Sequence, residues 1–317
     1  MNSNNLIKLS GDASFRKFYR SDKSIVVFCQ KEKKRNLLIY DAINRILIKN
    51  QIKAPKLLNQ NYKKNLIEIE DLGDISVYHK LNNKKVNKLK YYKKIILLLS
   101  KLQSIKTKKI KTFNNTNYIV PNYSQNILFK ESKLFLDWYI PKVIKKKKQK
   151  FIKNKLKIII KMLLKKIKNK NHIFVHRDFH VSNLMEYKKK IAIIDNQDAL
   201  YGNHAYDLAS LIDDVRLKTS NSLKEKIFKY FLKQNKSINK KEFKNDFDLL
   251  SVLRNIKIIG IFTRLSTRDK KHHYLKLIPH AWKLIEYRIN NNLLFNDLKL
   301  FLGKNFSIKM RKKKWKK

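Results

Sequence analysis

The stretch His176-Arg177-Asp178-Phe179-His180-Val181-Ser182-Asn183, followed by Ile191-Ala192-Ile193-Ile194-Asp195, decides how this chain folds. Apolar runs at 173–175 and 191–194 frame it and are typical of short buried strands. Asp178 and Asn183 then fall in the connecting loop, and Asp195 falls at a strand end. Because buried strands hold a loop stiffly, the sequence predicts a fixed cluster of two carboxylates and one amide.

This cluster has the spacing used by phosphoryl-transfer enzymes of the kinase type. There, a carboxylate in the position of Asp178 orients a substrate hydroxyl and accepts its proton. An amide and a second carboxylate, here Asn183 and Asp195, hold Mg²⁺ against the nucleotide phosphates. A His-Arg-Asp triplet alone is common in surface turns, but the full pattern between two apolar runs is much rarer by chance. We expect His176 to support the loop rather than to react.

Composition allows a large core but leaves the partners open. The chain has 317 residues, 43% of them hydrophobic, which suits one large domain or two lobes. Lys and Arg number 75 against 24 Asp and Glu, a net charge of +51 that suggests nucleic acid or an anionic membrane. The abundant Lys, Asn, Ile, Tyr and Phe are also the residues of AT-rich codons. We attribute the excess of lysine to this codon bias and expect no specific nucleic-acid partner.

The sequence predicts a cytoplasmic protein. Cys29 is the single cysteine, so no disulfide can form within the chain. Residues 1–10 lack a signal peptide, and no apolar run approaches the roughly 20 residues that span a bilayer. The basic tail at 309–317 is either a tether to an anionic surface or a solvated terminus.

The N-terminal pattern predicts a small, mostly antiparallel sheet with one helix. A strand-turn-strand is expected at 9–20, strands at 24–29 and 66–70, and a helix at 36–49. We therefore predict an N-lobe at 1–73 and a larger C-lobe at 74–317.

Helical spacing dominates the rest of the chain. Helices are predicted at 86–102, at 131–139 before Pro141, and at 151–167, with a polar loop at 106–122. In the last helix the residues expected to face inward are Phe151, Ile152, Leu156, Ile159 and Leu163. Its outer side is coated with lysine. Such a helix can lie on a membrane, but lysine stems covering the back of a core helix are commoner, and we favour that interpretation.

Six segments together carry a resemblance to a known family. They are Gly11-Asp12-Ala13-Ser14-Phe15-Arg16; Glu70-Asp71-Leu72-Gly73-Asp74; Leu134-Phe135 with Trp138-Tyr139; the 176–183 loop; 194–202 running into 206–211; and 258–265 with Arg268-Asp269. The chain resembles the aminoglycoside phosphotransferase branch of the kinase-like fold. Within that branch it is most similar to bacterial N-acetylmuramate/N-acetylglucosamine anomeric kinases.

The resemblance implies an α+β, bilobal, protein-kinase-like fold with a small antiparallel N-lobe and a mostly helical C-lobe. It also implies ATP and Mg²⁺ as cofactors and a small-molecule sugar as substrate, phosphorylated at its anomeric hydroxyl. The alternatives are another small hydroxyl acceptor (aminoglycoside, choline or homoserine) and a non-catalytic relative that binds anionic surfaces. A protein kinase is disfavoured, because no Ala-Pro-Glu signature follows Asp195.

Site roles follow from the resemblance position by position. Asp178 would be the catalytic base, and Asn183 and Asp195 the metal ligands. The turn over the nucleotide phosphates would be formed by Gly11, Asp12, Ala13 and Ser14. The hinge that recognises adenine through its backbone would be formed by Glu70 and Leu72. Asp207 would brace the catalytic loop, and Asp198 and Tyr201 would lie on the substrate side.

Three departures from the family pattern stand out. Asn196 occupies a position where the family usually has Phe, and Asn203 one where it tends to have Pro. Around 28–31 the chain lacks the family's Asp-Ala-Pro-like segment, so the cation that clamps the phosphates is open. Lys31 and Arg16 are the two candidates.

Overall fold

The N-terminal part of the chain forms an antiparallel sheet, and most of the remainder is helical, which is the predicted α+β arrangement. The computed structural model describes residues 6–9, 16–22, 24–30, 35–168, 172–313 and 315. The chain divides into two compact units: Met1–Pro121 with Ile173–Tyr201, and Asn122–His172 with Gly202–Lys317. The predicted boundary after residue 73 differs from this division and stays a prediction.

In the described part of the first unit, one antiparallel sheet has the strand order β1-β2-β3-β5-β4. The strands are β1 (Ile7–Leu9), β2 (Lys17–Arg20), β3 (Ser24–Phe28), β4 (Leu57–Asn61) and β5 (Leu66–Glu70). Alternate residues of β5, Ile67 and Ile69, are buried against Leu37 and Tyr40 of helix α1 (Arg35–Lys49). The period-two pattern of β5 and the helical period of α1 therefore produce the core that the sequence predicted.

The first unit also contains two further helices and six short strands. These are α2 (Val77–Asn82), α3 (Lys88–Gln103), β6 (Lys109–Lys111), β7 (Asn117–Ile119), β8 (Ile173–Val175), β9 (Leu184–Tyr187), β10 (Lys190–Ile193) and β11 (Leu200–Gly202). Strands β8, β9 and β10 flank the 176–183 loop and Asp195. Strand β9 pairs with β10, and β8 pairs with β11. The loop predicted at 106–122 is wrong in part, because β6 and β7 form a hairpin there with Ile110 buried. Lysines on both sides of that isoleucine hide the strand pattern.

In its described residues the second unit is helical. The helices are α4 (Gln125–Leu134), α5 (Ile140–Val143), α6 (Lys146–Lys165), α7 (Tyr206–Ile212), α8 (Asn221–Gln234), α9 (Lys240–Asp269), α10 (Ile278–Asn290), α11 (Asn296–Asn305) and α12 (Ile308–Arg311). A π-helical turn, Phe135–Tyr139, joins α4 to α5, so Pro141 lies in the first turn of α5 and the chain stays helical. None of the helices in the described ranges is both long enough and apolar enough to cross a membrane.

Helix α6 differs from the prediction at one residue. Ile152, Leu156, Ile159 and Leu163 are buried as expected. Phe151, however, is 68% exposed, so the prediction that it faces inward is wrong. It precedes Ile152 by 100° around the helix, which is enough to leave the buried stripe.

Candidate active site

A buried histidine holds the catalytic loop in shape. His176 is 1% exposed, and its Nδ1 accepts a hydrogen bond from the backbone N–H of Asp178 at 3.2 Å. Nδ1 is therefore the unprotonated nitrogen, and Nε2–H donates to the carbonyl oxygen of Ile194 at 3.0 Å. The bond reaches the residue before Asp195. These bonds are consistent with a supporting role for His176, which stays a prediction.

The backbone of the loop is strained at one point. Arg177 has φ = 74°, in the left-handed region that residues with a Cβ rarely adopt. The turn continues with a hydrogen bond from His180 N–H to the Asp178 carbonyl at 2.9 Å. Phe179 and Val181 are fully buried and anchor the turn on both sides. Strained backbone that is fixed in this way is common where a side chain must be aimed at a reaction centre.

Asn183 links the loop to the following hairpin. Its Nδ2 donates to the Asp178 carbonyl at 3.1 Å, and its own carbonyl accepts from Ile194 N–H at 3.0 Å. These two bonds join Asn183 to the backbone of Asp178 and to that of Ile194, the residue before Asp195. The metal-binding roles of Asn183 and Asp195 stay predictions. Because the amide nitrogen is used, the Oδ1 atom of Asn183 is the one suited to a metal ion.

Asp195 lies at the end of β10 in a left-handed conformation, with φ = 63°. Its Oδ1 forms an ion pair with Arg16 and accepts a hydrogen bond from Gln197 Nε2 at 3.2 Å. Both contacts use the same oxygen, and the side chain is 41% exposed. Oδ2 is therefore the carboxylate oxygen better placed to take a cation.

Asn183 and Asp195 suit magnesium chemically. Both offer hard oxygen donors, and Mg²⁺ is often bound by one or two protein groups with phosphates and water completing its shell. Within the described ranges, no group of three or more His, Cys, Asp or Glu residues could hold a metal ion. A set of one amide and one carboxylate is consistent with that finding, because it relies on the nucleotide for further ligands.

Arg16 is 4% exposed and lies directly against this cluster. Its Nη1 donates to Gln197 Oε1 at 2.6 Å, and the guanidinium lies 5.1 Å from the Tyr40 ring centre and 5.5 Å from that of Phe18. Burial raises the pKa of Tyr40 to about 12, with Arg16 opposing and Asp195 adding to the shift. Tyr40 is therefore neutral beside the guanidinium. Of the two candidate phosphate cations, Arg16 is the one that contacts Asp195, the carboxylate predicted to bind metal.

Glu70, in the segment predicted as the hinge, is fixed by an ion pair and a hydrogen bond. Its carboxylate receives Lys53 Nζ at 2.5 and 2.6 Å and the Tyr187 hydroxyl at 2.9 Å. Burial opposes ionisation of Glu70, but these bonds outweigh it and lower the pKa of the carboxyl. The Glu70 N–H donates to Lys56 O at 2.9 Å, so an adenine contact would use other backbone groups of the hinge.

Leu72 ends the hinge in an apolar cluster. It packs with Met185 and Ala192, and the half-buried Tyr187 and Ile194 lie against them. The cluster therefore joins the hinge to the β9–β10 hairpin that leads into Asp195. An apolar surface of this kind suits a flat aromatic base.

The two predicted substrate-side residues differ in exposure. The Asp198 side chain is 55% exposed, 3.5 Å from Arg177 Nη1, and accepts from Gln197 Nε2 at 2.9 Å. Tyr201 is 2% exposed, and its hydroxyl donates to Ile105 O at 3.4 Å. Tyr201 is therefore a buried packing residue in this structure. A role toward substrate stays a prediction.

The residues that depart from the family pattern are buried and hydrogen-bonded. Asn196 is fully buried and donates through Nδ2 to Asn44 Oδ1 at 2.8 Å, while Asn44 donates to Pro55 O at 3.0 Å. A polar contact thus replaces the aromatic packing expected behind Asp195. Asn203 donates to Asp246 at 2.8 Å and accepts from Ala205 N–H at 2.9 Å, in the second unit.

Other predicted residues are not placed in the site by these contacts. Asp207 is fully buried in α7 of the second unit, and its bracing role stays a prediction. Five residues predicted to bind the nucleotide lie outside the described residues: Gly11, Asp12, Ala13, Ser14 and Lys31.

Two residues that hold parts of the candidate site, Gln197 and Lys53, were not predicted from the sequence. Gln197 joins Arg16, Asp195 and Asp198, and it lies in the quoted 194–202 segment, where its amide could have been recognised as a linker. Lys53 pairs with Glu70, but nothing distinguishes it in a chain with 75 Lys and Arg residues. Abundant lysine hides the individual lysines that form specific pairs.

Known proteins resemble this chain in sequence and in fold. The sequence profile of the phosphotransferase enzyme family (APH) matches residues 5–237. A protein of Pseudomonas aeruginosa named N-acetylmuramate/N-acetylglucosamine kinase is 26% identical over 290 residues, which cover 89% of this chain and 82% of that protein. A protein of Neisseria meningitidis with the same name is 24% identical over 280 residues, covering 85% of this chain and 81% of that protein.

Among solved structures, the ADP-bound aminoglycoside phosphotransferase APH(2'')-Ib superimposes with a TM-score of 0.58. The match covers 89% of this chain and 92% of that protein at 14% identity, so it bears on the fold alone. It confirms the predicted kinase-like fold. Because the family profile covers well over half of the residues, this chain belongs to the phosphotransferase enzyme family.

Proposed function

We propose that this phosphotransferase transfers the γ-phosphoryl group of ATP to the anomeric hydroxyl of N-acetylmuramate or N-acetylglucosamine. The observation that carries the proposal is that hydrogen bonds join the loop of Asp178 and Asn183 to Ile194, the residue before Asp195, whose carboxylate pairs with Arg16. The relatives named for this activity match over most of their length, which supports the choice of acceptor.

Asp178 would act as the base. Its backbone is fixed on both sides, by His176 on the N–H and by His180 and Asn183 on the carbonyl, so the Cα that carries the carboxylate is held in place. The sugar oxygen would form a bond to the γ-phosphorus while the bond to the bridging oxygen of ADP breaks. The released proton would pass to Asp178. Positioning of this kind supplies much of the acceleration in phosphoryl transfer.

Asn183 Oδ1 and Asp195 Oδ2 would hold the metal ion. When bound, Mg²⁺ supplies positive charge that stabilises the transferring phosphoryl group. Arg16 and Gln197 would keep the Asp195 carboxylate oriented through its other oxygen. Carboxylate ligands fixed by neighbouring donors in this way bind metal more tightly.

The nucleotide side would combine the hinge and Arg16. The cluster around Leu72 and Met185 offers an apolar face for the adenine ring. The buried Arg16 guanidinium offers the positive charge that phosphates require, and it is the phosphate cation we favour. The turn at 11–14 and Lys31 remain predictions for the same region.

Charge favours an anionic or neutral acceptor. An aminoglycoside is a polycation, and a protein of net charge +51 repels it at long range. N-acetylmuramate carries a carboxylate, so its approach is assisted. Choline is a cation and is disfavoured on the same ground. The complete set of Asp178, Asn183 and Asp195 also argues against a non-catalytic relative.

We also propose that the protein works in the cytoplasm, where ATP is supplied. Contact between its basic tail at 309–317 and an anionic surface stays a prediction of the same standing.

The test is product identification. Purified protein is incubated with Mg²⁺, ATP or GTP, and a panel of N-acetylmuramate, N-acetylglucosamine, kanamycin, choline and homoserine. We expect a sugar 1-phosphate, identified by phosphorus NMR and mass spectrometry, with the two amino sugars only. The Asp178→Asn variant should form product about 10²–10⁴-fold more slowly, whereas Asp22→Asn, which changes an exposed carboxylate, should match the unmodified protein. A phosphorylated aminoglycoside or choline would contradict the proposed acceptor.

A further inference from the structure

The outer face of α6 carries an apolar stripe. Phe151, Ile158 and Met162 are 68%, 53% and 48% exposed. They are separated by seven and four residues, so their side chains fall on one line along the helix. The buried face of the same helix is held by the second unit, through residues that include Leu156 and Ile160. The stripe is therefore a second apolar face, left to solvent after the core is satisfied.

Lysines flank the stripe on both sides. Helix α6 contains nine lysines and no acidic residue. At 100° per residue, Lys148 and Lys155 project on one side of the stripe and Lys147, Lys161 and Lys165 on the other. All five are exposed.

Acidic residues are absent from the sequence on both sides of α6, since no Asp or Glu occurs in residues 138–177. In space, Asp297 of α11 lines a small cleft beside Met162, together with Lys166. One carboxylate at that edge does not balance the lysines along the helix. The face is strongly positive with an apolar centre.

We propose that this face of α6 docks on an anionic lipid bilayer. The lysines would contact headgroup phosphates, since an anionic surface attracts basic side chains that lie within a Debye length of it. Phe151, Ile158 and Met162 would enter the boundary between headgroups and acyl chains, as the apolar side chains of interfacial helices do. A convex line of apolar side chains between lysines fits a surface that deforms around it, which favours lipid over an acidic protein. The contact would be peripheral and would use none of the residues proposed for phosphotransfer.

A competing explanation is diffuse attraction, since a protein of net charge +51 is drawn to any anionic surface. The two explanations differ in what uncharged substitutions do. Diffuse attraction depends on charge alone, whereas docking by α6 also requires its apolar stripe. Replacing stripe residues with serine leaves the charge unchanged, so it should lower binding only if the stripe enters the bilayer.

The experiment measures co-sedimentation of the full chain with vesicles of phosphatidylglycerol and phosphatidylcholine in equal parts, and with phosphatidylcholine alone. We expect binding to the mixed vesicles only. The double variant Phe151→Ser/Ile158→Ser should lower the partition coefficient about tenfold, because two large apolar side chains no longer enter the bilayer. The matched control is Leu58→Ser/Ile119→Ser in the first unit, where the two residues are 54% and 66% exposed. It should bind like the unmodified protein.

A second measurement does not depend on those variants. The chain has one cysteine, and Cys29 is buried, so Ile158→Cys can be labelled with an environment-sensitive dye. Its emission should shift to the blue on addition of mixed vesicles, while the same dye on Ile119→Cys should not respond. The proposal is overturned if both double variants bind equally, if mixed and phosphatidylcholine vesicles bind equally, or if the dye at 158 stays in water. An acidic protein that shifts the dye where vesicles do not would also overturn it.

Discussion

Replacing Gly260 with alanine should destabilise the second unit strongly. Gly260 lies in α9 where that helix crosses the end of α4 and the start of the π-helical turn. A Cβ added there would lie 2.3 Å from the Leu134 carbonyl carbon, 2.4 Å from the Phe135 nitrogen and 2.6 Å from the Leu134 oxygen. All three are backbone atoms, so no rotamer change can relieve the overlap.

The size of the effect follows from those distances. Ordinary contacts begin near 3.4 Å, so the two segments would have to separate by about 1 Å. Phe135 is fully buried against Tyr139, Trp282 and Phe306, so the movement would disturb an aromatic cluster. Overpacking costs about 1–3 kcal/mol where side chains can adjust, and more where backbone meets backbone. After subtracting about 1 kcal/mol for the better helix propensity of alanine, we expect a net loss of about 3 kcal/mol.

Urea denaturation of Gly260→Ala and of the matched variant Gly303→Ala measures this loss. Gly303 is also helical, in α11, but a Cβ there would meet nothing within 4 Å. Gly303→Ala should gain about 0.5–1 kcal/mol from helix propensity. If the free energy of unfolding of Gly260→Ala differed from that of the unmodified protein by less than about 1 kcal/mol, the close crossing of α9 with α4 would be refuted.

Further predictions concern the site and pH. Asp178→Asn should lower turnover about 10²–10⁴-fold in a steady-state assay without changing the melting temperature, because it removes a general base. Asp195→Ala should abolish the Mg²⁺-dependent part of ADP binding in calorimetry, while metal-free binding persists. Arg16→Ala should weaken ADP binding about tenfold, and Arg16→Lys should recover part of it, because a charge facing phosphate is restored. Burial raises the pKa of Asp41 to about 6, with Arg45 opposing, so the folded chain binds this proton more tightly than the unfolded chain. Stability is therefore lost as pH rises from about 4 to 6, and Asp41→Asn should be more stable by about 2 kcal/mol at pH 7 in denaturant titrations but not at pH 4.

The catalytic loop was predictable because its chemistry constrains both residue type and spacing. Asp178, Asn183 and Asp195 are brought together by short-range connections, a tight loop and a two-stranded hairpin, which a local pattern can encode. Helix α1 and strand β5 were predictable for a related reason, since each buries one regular face. In these segments local pattern and tertiary structure agree.

Other features depend on contacts distant in sequence. Arg16 reaches Asp195 across 179 residues, and no local pattern distinguishes that arginine from a surface residue. Lys53 is hidden among the other lysines until the structure places it on Glu70. Phe151 follows the helical period closely enough to be assigned to the core, yet its angle leaves it on the outside. The edge of a buried stripe is set by the neighbouring helices rather than by the sequence of the helix itself.

We propose that this enzyme uses Asp178, Asn183 and Asp195 to transfer a phosphoryl group to the anomeric oxygen of an amino sugar. Phosphorus NMR of the reaction of ATP, Mg²⁺ and N-acetylmuramate or N-acetylglucosamine tests it most directly. We expect a sugar 1-phosphate resonance split by the anomeric proton, formed by the unmodified protein and not by Asp178→Asn. A phosphate on another hydroxyl, or equal product from the Asp178→Asn variant, would contradict the account.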